Sequence, residues 1–139
     1  MEQQMNQQAV QQYQQMQQQL EQVNDYIDQV ENQIKRIEDA QDAVQKLEDV
    51  EDGSEIMAPI GDGAFVKAEI KDSSKVTTNI GGDTMQEQDR EGAIESLQEQ
   101  IDLLNSTKEE LEGQTEEIQG QLQELQQDLQ QQRQEQAEE

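Results

Sequence analysis

Residues 9–44 read AVQQYQQMQQQLEQVNDYIDQVENQIKRIEDAQDAV. Within this stretch Ala9, Tyr13, Met16, Leu20, Val23, Ile27, Val30, Ile34 and Ile37 follow one another at alternating intervals of four and three, and Gln41 and Val44 continue the pattern. Assigning Tyr13, Leu20, Ile27, Ile34 and Gln41 to heptad position a places Ala9, Met16, Val23, Val30, Ile37 and Val44 at d. A repeat of 3.5 residues marks a coiled-coil seam, narrower than the apolar stripe of a globular helix. The residues between are nearly all Gln, Glu, Asp, Asn or Lys, as solvated positions require.

The other end of the chain repeats the grammar. Ile94, Leu97, Ile101, Leu104, Lys108, Leu111, Thr115, Ile118, Leu122, Leu125 and Leu129 alternate by three and four without a skip. Position a holds Ile94, Ile101, Lys108, Thr115, Leu122 and Leu129, and d holds the rest. Gly113 and Gly120 fall at f, the outermost position, where each lowers helix propensity by about 1 kcal/mol relative to Ala but leaves the seam intact. Lys108 stands where Leu would be stronger. Its stem is expected to pack while the ammonium reaches water; the alternative is a register-setting role.

Between these flanks the pattern changes. Residues 53–88 hold Gly53, Gly61, Gly63, Gly81 and Gly82, together with the chain's one proline, Pro59. Period-two alternation predicts strands at Ile56–Ile60, Ala64–Ile70 and Lys75–Ile80, with a weaker fourth at Thr84–Gln88. Gly61-Asp62-Gly63 is expected to supply the positive φ angles of a tight hairpin, and Gly81-Gly82-Asp83 those of a second. Pro59 donates no ladder hydrogen bond, so the first strand belongs at an edge.

The sequence thus divides into an N-terminal coiled-coil helix (1–52), a β-hairpin region (53–88) and a C-terminal coiled-coil helix (89–139). The expected fold is mainly α with a small β region: an antiparallel helical hairpin joined by two β-hairpins. Each helical flank runs to about 45 residues, or roughly 65 Å at the usual rise. An even number of strands returns the chain near its start, so the second helix folds back along the first. Tyr13 should then lie near Leu129, and Val44 near Leu97.

Composition agrees with a thin seam. Only 30% of the 139 residues are apolar and 2% aromatic, too few to fill a globular core. The formal net charge is −24. Residues 1–52 carry 12 acidic and 3 basic side chains, 53–88 carry 6 and 3, and 89–139 carry 15 and 3, so the excess coats both flanks. Such a surface disfavours nucleic acid, whose binding relies on cations that neutralise phosphate, and anionic membrane equally. It reads either as a self-repelling coat that maintains solubility or as adaptation to a salt-rich cytosol that screens the repulsion.

Chemistry finds little foothold. His and Cys are absent, removing the commonest general base and the thiol nucleophile. The carboxylates lie on solvated helix faces with no pocket to raise a pKa. Gly81-Gly82-Asp83 lacks the Lys-Ser/Thr of a phosphate loop. Asp49-Val50-Glu51-Asp52-Gly53 misplaces the glycine of a calcium loop and lacks its terminal Glu. Asn105-Ser106-Thr107 falls in mid-helix. No catalytic residue, metal site or cofactor is therefore expected. Neither a signal peptide nor a membrane-length apolar run is evident, and the expected location is the cytoplasm.

Read with its flanks, the run Ile56-Met57-Ala58-Pro59-Ile60-Gly61-Asp62-Gly63-Ala64-Phe65-Val66-Lys67-Ala68-Glu69-Ile70 resembles the hairpin signature of archaeal prefoldin α subunits. Lys75-Val76, Asn79-Ile80-Gly81 and the helix re-entry Glu91-Gly92-Ala93-Ile94 extend the likeness, whereas Asp83-Thr84-Met85-Gln86 departs from the family's usually apolar residues after the second turn. The resemblance implies an ATP-independent holding chaperone of two α with four prefoldin β subunits, whose hairpins build an intersubunit β-barrel. Non-native polypeptides would be held at the coiled-coil tips and delivered to a group II chaperonin. Oligomerisation would then use Ile56, Ile60, Phe65, Val66, Ala68, Ile70, Val76 and Ile80.

The tips are glutamine-rich, with 12 Gln in residues 1–22 and 10 in 119–136. They are either solvated helix ends or a weakly apolar client surface built from Met1, Met5, Val10, Tyr13, Met16, Leu122, Leu125 and Leu129. Methionine suits promiscuous contact because it is flexible and polarisable. The rival to a chaperone is an architectural coiled-coil spacer or tether without client binding.

Overall fold

The computed structural model describes the backbone of residues 2–138 and the side chains of residues 7–135. Helix α1 spans Glu2–Lys46 and ends in a single 3-10 turn, Leu47–Asp49. Four strands follow: β1 (Glu55–Gly61), β2 (Ala64–Glu69), β3 (Lys75–Asn79) and β4 (Met85–Asp89). Helix α2 then runs Arg90–Glu138. The described chain forms two compact units, Gln33–Leu103 and the paired segments Met1–Asn32 with Leu104–Glu139.

In the hairpin-bearing unit, Val44, Ala93 and Leu97 form a buried cluster, with Ile37, Ala40, Val76 and Ile94 packed against it. Val44 and Leu97 meet, as the antiparallel reading requires. Ala93 is fully covered because its small side chain allows close approach, a position that the seam spacing does not mark. Gln41 fills its a position with a polar bridge. Its Nε2 donates to the Ile94 carbonyl at 3.2 Å and to Gln98 Oε1 at 3.1 Å. The partly buried amide is thereby satisfied, which leaving it unpaired would not allow without a cost of about 1–3 kcal/mol.

In the other unit the two helix segments also run antiparallel. Glu31 meets Lys108, Val23 and Tyr26 share a groove with Leu111 and Ile118, and Val10 and Tyr13 share one with Leu129 and Arg133. Every apolar seam residue expected between Ala9 and Val30, and between Leu104 and Leu129, is half-buried. The Lys108 side chain is one-third exposed, and Nζ lies 3.2 Å from Glu31 Oε1 on the facing helix and 3.9 Å from Glu112 one turn on. Thr115, also at a, donates Oγ1 to the Leu111 carbonyl at 3.0 Å.

The strands form two separate antiparallel pairs, β1–β2 and β3–β4. In the first, Ile56 faces Ala68 and Ala58 faces Val66, with a one-residue irregularity between Pro59 and Gly61. In its turn Gly63 takes a positive φ, +80°, and Gly61 does not, correcting the expectation that both would. A single left-handed glycine next to an irregular pair is the economy of the longer hairpin loops. In the second turn Gly81, Gly82 and Asp83 all adopt positive φ, and Asp83 is tolerated there because short Asx side chains accept the left-handed region. The Asn79 side chain accepts from the Gly81 amide at 2.9 Å, closing that loop.

The weak fourth strand is present, one residue later than expected. It persists because of polar contacts. Thr78 is buried and its hydroxyl donates to Gln88 Oε1, while Gln88 Nε2 donates to Ser96 Oγ of α2 at 2.9 Å. Gln100 Nε2 donates to the Asn79 carbonyl at 2.6 Å. Hairpin β3–β4 is therefore fastened to α2 through Thr78 and Gln88, with Val76 reaching the apolar cluster.

Candidate interaction surfaces

The register of β1–β2 sorts its residues into two faces. Ile56, Ala58, Val66 and Ala68 share one, wholly apolar. Met57, Pro59 and Phe65 share the other with Glu55, Lys67 and Glu69. An isolated two-stranded hairpin is marginal in water, and one that bares apolar side chains on both faces has no core of its own. Yet Ile56 and Val66 are each 43% exposed, Phe65 56% and Ile60 67%. The linker holds this hairpin by backbone bonds: the Gly53 amide donates to the Ile70 carbonyl at 2.6 Å, and the Ile70 amide returns to Ser54 at 2.9 Å. Neighbouring Asp72 caps the next turn; its carboxylate accepts from the Ser74 hydroxyl and amide, which with the Lys75 charge holds it below the usual carboxylate range.

The residues expected to serve oligomerisation therefore divide. Ile56, Ile60, Phe65, Val66 and Ile80 are exposed. Ala68 and Ile70 are half-buried, and Val76 already packs inside its own chain. Met57 and Met85, not among the expected residues, are also exposed, more so than Ile56, Phe65, Val66 and Ile80.

The tip residues divide as well. Val10 is exposed, whereas Tyr13, Met16, Leu122, Leu125 and Leu129 are half-buried in the seam. Met1 and the Met5 side chain lie outside the described residues. Val10, Tyr13, Gln126, Leu129, Gln130 and Arg133 line an open groove of about 270 Å³. The lining combines apolar side chains with glutamine amides and the Arg133 guanidinium.

Among the described residues no group of acidic side chains is arranged to hold a metal ion, and no helix is long and apolar enough to cross a membrane.

The family described as Prefoldin subunit matches the chain over residues 16–135. The chain belongs to the prefoldin family. Its fold is similar to that in the cryo-EM structure of filamentous PFD from Methanocaldococcus jannaschii, with 20% identity, coverage of 85% of this chain and 95% of that one, and a TM-score of 0.73. No curated protein matches the sequence. Prefoldins are chaperone-type coiled-coil subunits, not a family of enzymes, and membership implies assembly with other prefoldin subunits.

Proposed function

We propose that this prefoldin chain is an α-type subunit of an ATP-independent holding chaperone. Two such subunits would join four β-type subunits in the cytoplasm, with the β1–β2 hairpins closing an intersubunit barrel. The observation that carries the reading is the bare apolar face of β1–β2, Ile56 and Val66 above all, in a chain whose helical seam residues are buried or half-buried. Unpaired strand edges and uncovered apolar faces are met by pairing with other chains.

Non-native polypeptides are held, on this reading, at the terminal parts of the helix pairs and passed to a group II chaperonin. The groove at Val10, Tyr13 and Leu129 supports this placement. Each such contact contributes about 1 kcal/mol or less by partial burial, so a single subunit binds weakly. Several arms on one client gain through effective concentration. Suppression of the aggregation of a chemically unfolded protein by the assembled complex is the test. A holding chaperone suppresses it without ATP, whereas a spacer or tether leaves the aggregation curve unchanged.

A further inference from the structure

Tyr26 is the one aromatic side chain of the paired segments that stands off the seam. It occupies heptad position g, next to Ile27 at a, and is 59% exposed. Neighbouring g positions such as Gln19 and Gln33 are glutamines, so solvation alone does not call for a ring there. Tyr26 joins Val23, Leu111 and Ile118 in lining an open groove of about 510 Å³, whose rim includes Gln22, Gln114 and Glu117. A smaller hollow that shares Gln22 and Tyr26 with it is also lined by Asp25 and Gln29.

We infer that this Tyr26-centred groove is a second polypeptide-holding site, separate from the tip groove at Val10 and Tyr13, that takes extended segments carrying both apolar and basic side chains. Three properties of the lining select that occupant. The floor of Val23, Leu111 and Ile118 receives an aliphatic or aromatic side chain. The glutamine amides carry both donors and acceptors, which match the unpaired N–H and C=O groups of an extended backbone. The charge supplies the sign. Residues 7–34 contain no Lys or Arg and residues 109–132 contain none, while Glu117 lines the groove and Asp25 the hollow that shares Gln22 and Tyr26 with it. An acidic groove with low-dielectric walls concentrates cationic partners and turns acidic ones away. The inference rests on the holding-chaperone reading and adds to it a site and a client class.

The test uses the full chain and two short fluorescent peptides of alternating composition, Leu and Phe with Lys and Gln in one, Glu replacing Lys in the other. Fluorescence anisotropy should show the Lys peptide bound and the Glu peptide not. Tyr26→Gln should weaken the Lys peptide about tenfold, equivalent to about 1.4 kcal/mol, while Tyr26→Leu, which keeps the apolar bulk, should retain most of the binding. Val10→Gln should leave a peptide cross-linked through a photoreactive side chain at position 26 unchanged in yield. Equal affinity of Tyr26→Gln and the unaltered chain overturns the inference, as does equal binding of the Glu peptide. Cross-linking from position 26 to a second copy of the chain instead of the peptide overturns it too, by assigning the groove to assembly. If the assembled complex still suppresses aggregation in those cases, the holding reading stands without this site; loss of suppression in the unaltered complex removes the holding reading itself.

Discussion

Gly113 and Gly120 stand on the outward face of α2, and a Cβ added at either position meets nothing within 4 Å. Neither has a positive φ. Alanine at each should therefore stabilise the helix by about 1 kcal/mol from propensity alone, without touching the seam. Urea unfolding followed by circular dichroism checks this; no gain from either substitution would mean that these turns are frayed in solution. Polar residues at a positions behave differently. Gln41 and Lys108 each find a partner across the seam, Gln41 on the Ile94 carbonyl and Lys108 on Glu31. These pairs were not legible from spacing, which marks the positions as weak but does not say which acceptor stands opposite. Tyr26 was illegible for the same reason: heptad counting treats every non-seam residue as solvated.

At the scale of elements, the helices were readable because their signal is redundant. Each carries the same spacing over many turns, and every expected seam residue among the described side chains is buried or half-buried. Hairpin β1–β2 was readable within a residue at each strand because alternation, Asp62-Gly63 and Pro59 all agree. Hairpin β3–β4 was less so. Its inward face is Val76, Thr78, Gln86 and Gln88, mostly polar, and it is held by hydrogen bonds to α2 that no hydrophobic pattern announces. The junction into α2 depends on Asp89, whose Oδ1 accepts the Gly92 amide at 2.7 Å. The carboxylate also faces the positive end of the helix dipole. Gly92 permits the approach, since a Cβ there would stand 2.8 Å from that oxygen. Asp89→Ala should cost about 1 kcal/mol, with early loss of amide protection at residues 90–93 by hydrogen exchange. Unchanged protection would show that the cap is dispensable.

For the molecule as a whole, the −24 charge opposes compaction of two acidic helices against each other. Screening shortens the reach of that repulsion from about 10 Å at 0.1 M to about 3 Å at 1 M salt. Thermal unfolding in molar potassium chloride should therefore occur at least about 5 °C higher than in dilute buffer. Equal midpoints would leave the acidic coat as a solubility device and remove the case for adaptation to a salt-rich cytosol.

The same molecule exposes a hairpin that has no core of its own, which on the proposed reading neighbouring chains cover. The most direct measurement is the mass in solution of the chain mixed with a prefoldin β-type partner, compared for the unaltered sequence and the double substitution Ile56→Asp with Val66→Asp. Both side chains lie on the apolar face of β1–β2 and are already exposed in the single chain, so circular dichroism should retain nearly all the helix. A six-subunit mass is expected for the unaltered chain and single-chain mass for the variant. A variant that assembles to the same mass would contradict that expectation, because the face proposed to join the subunits would then join nothing.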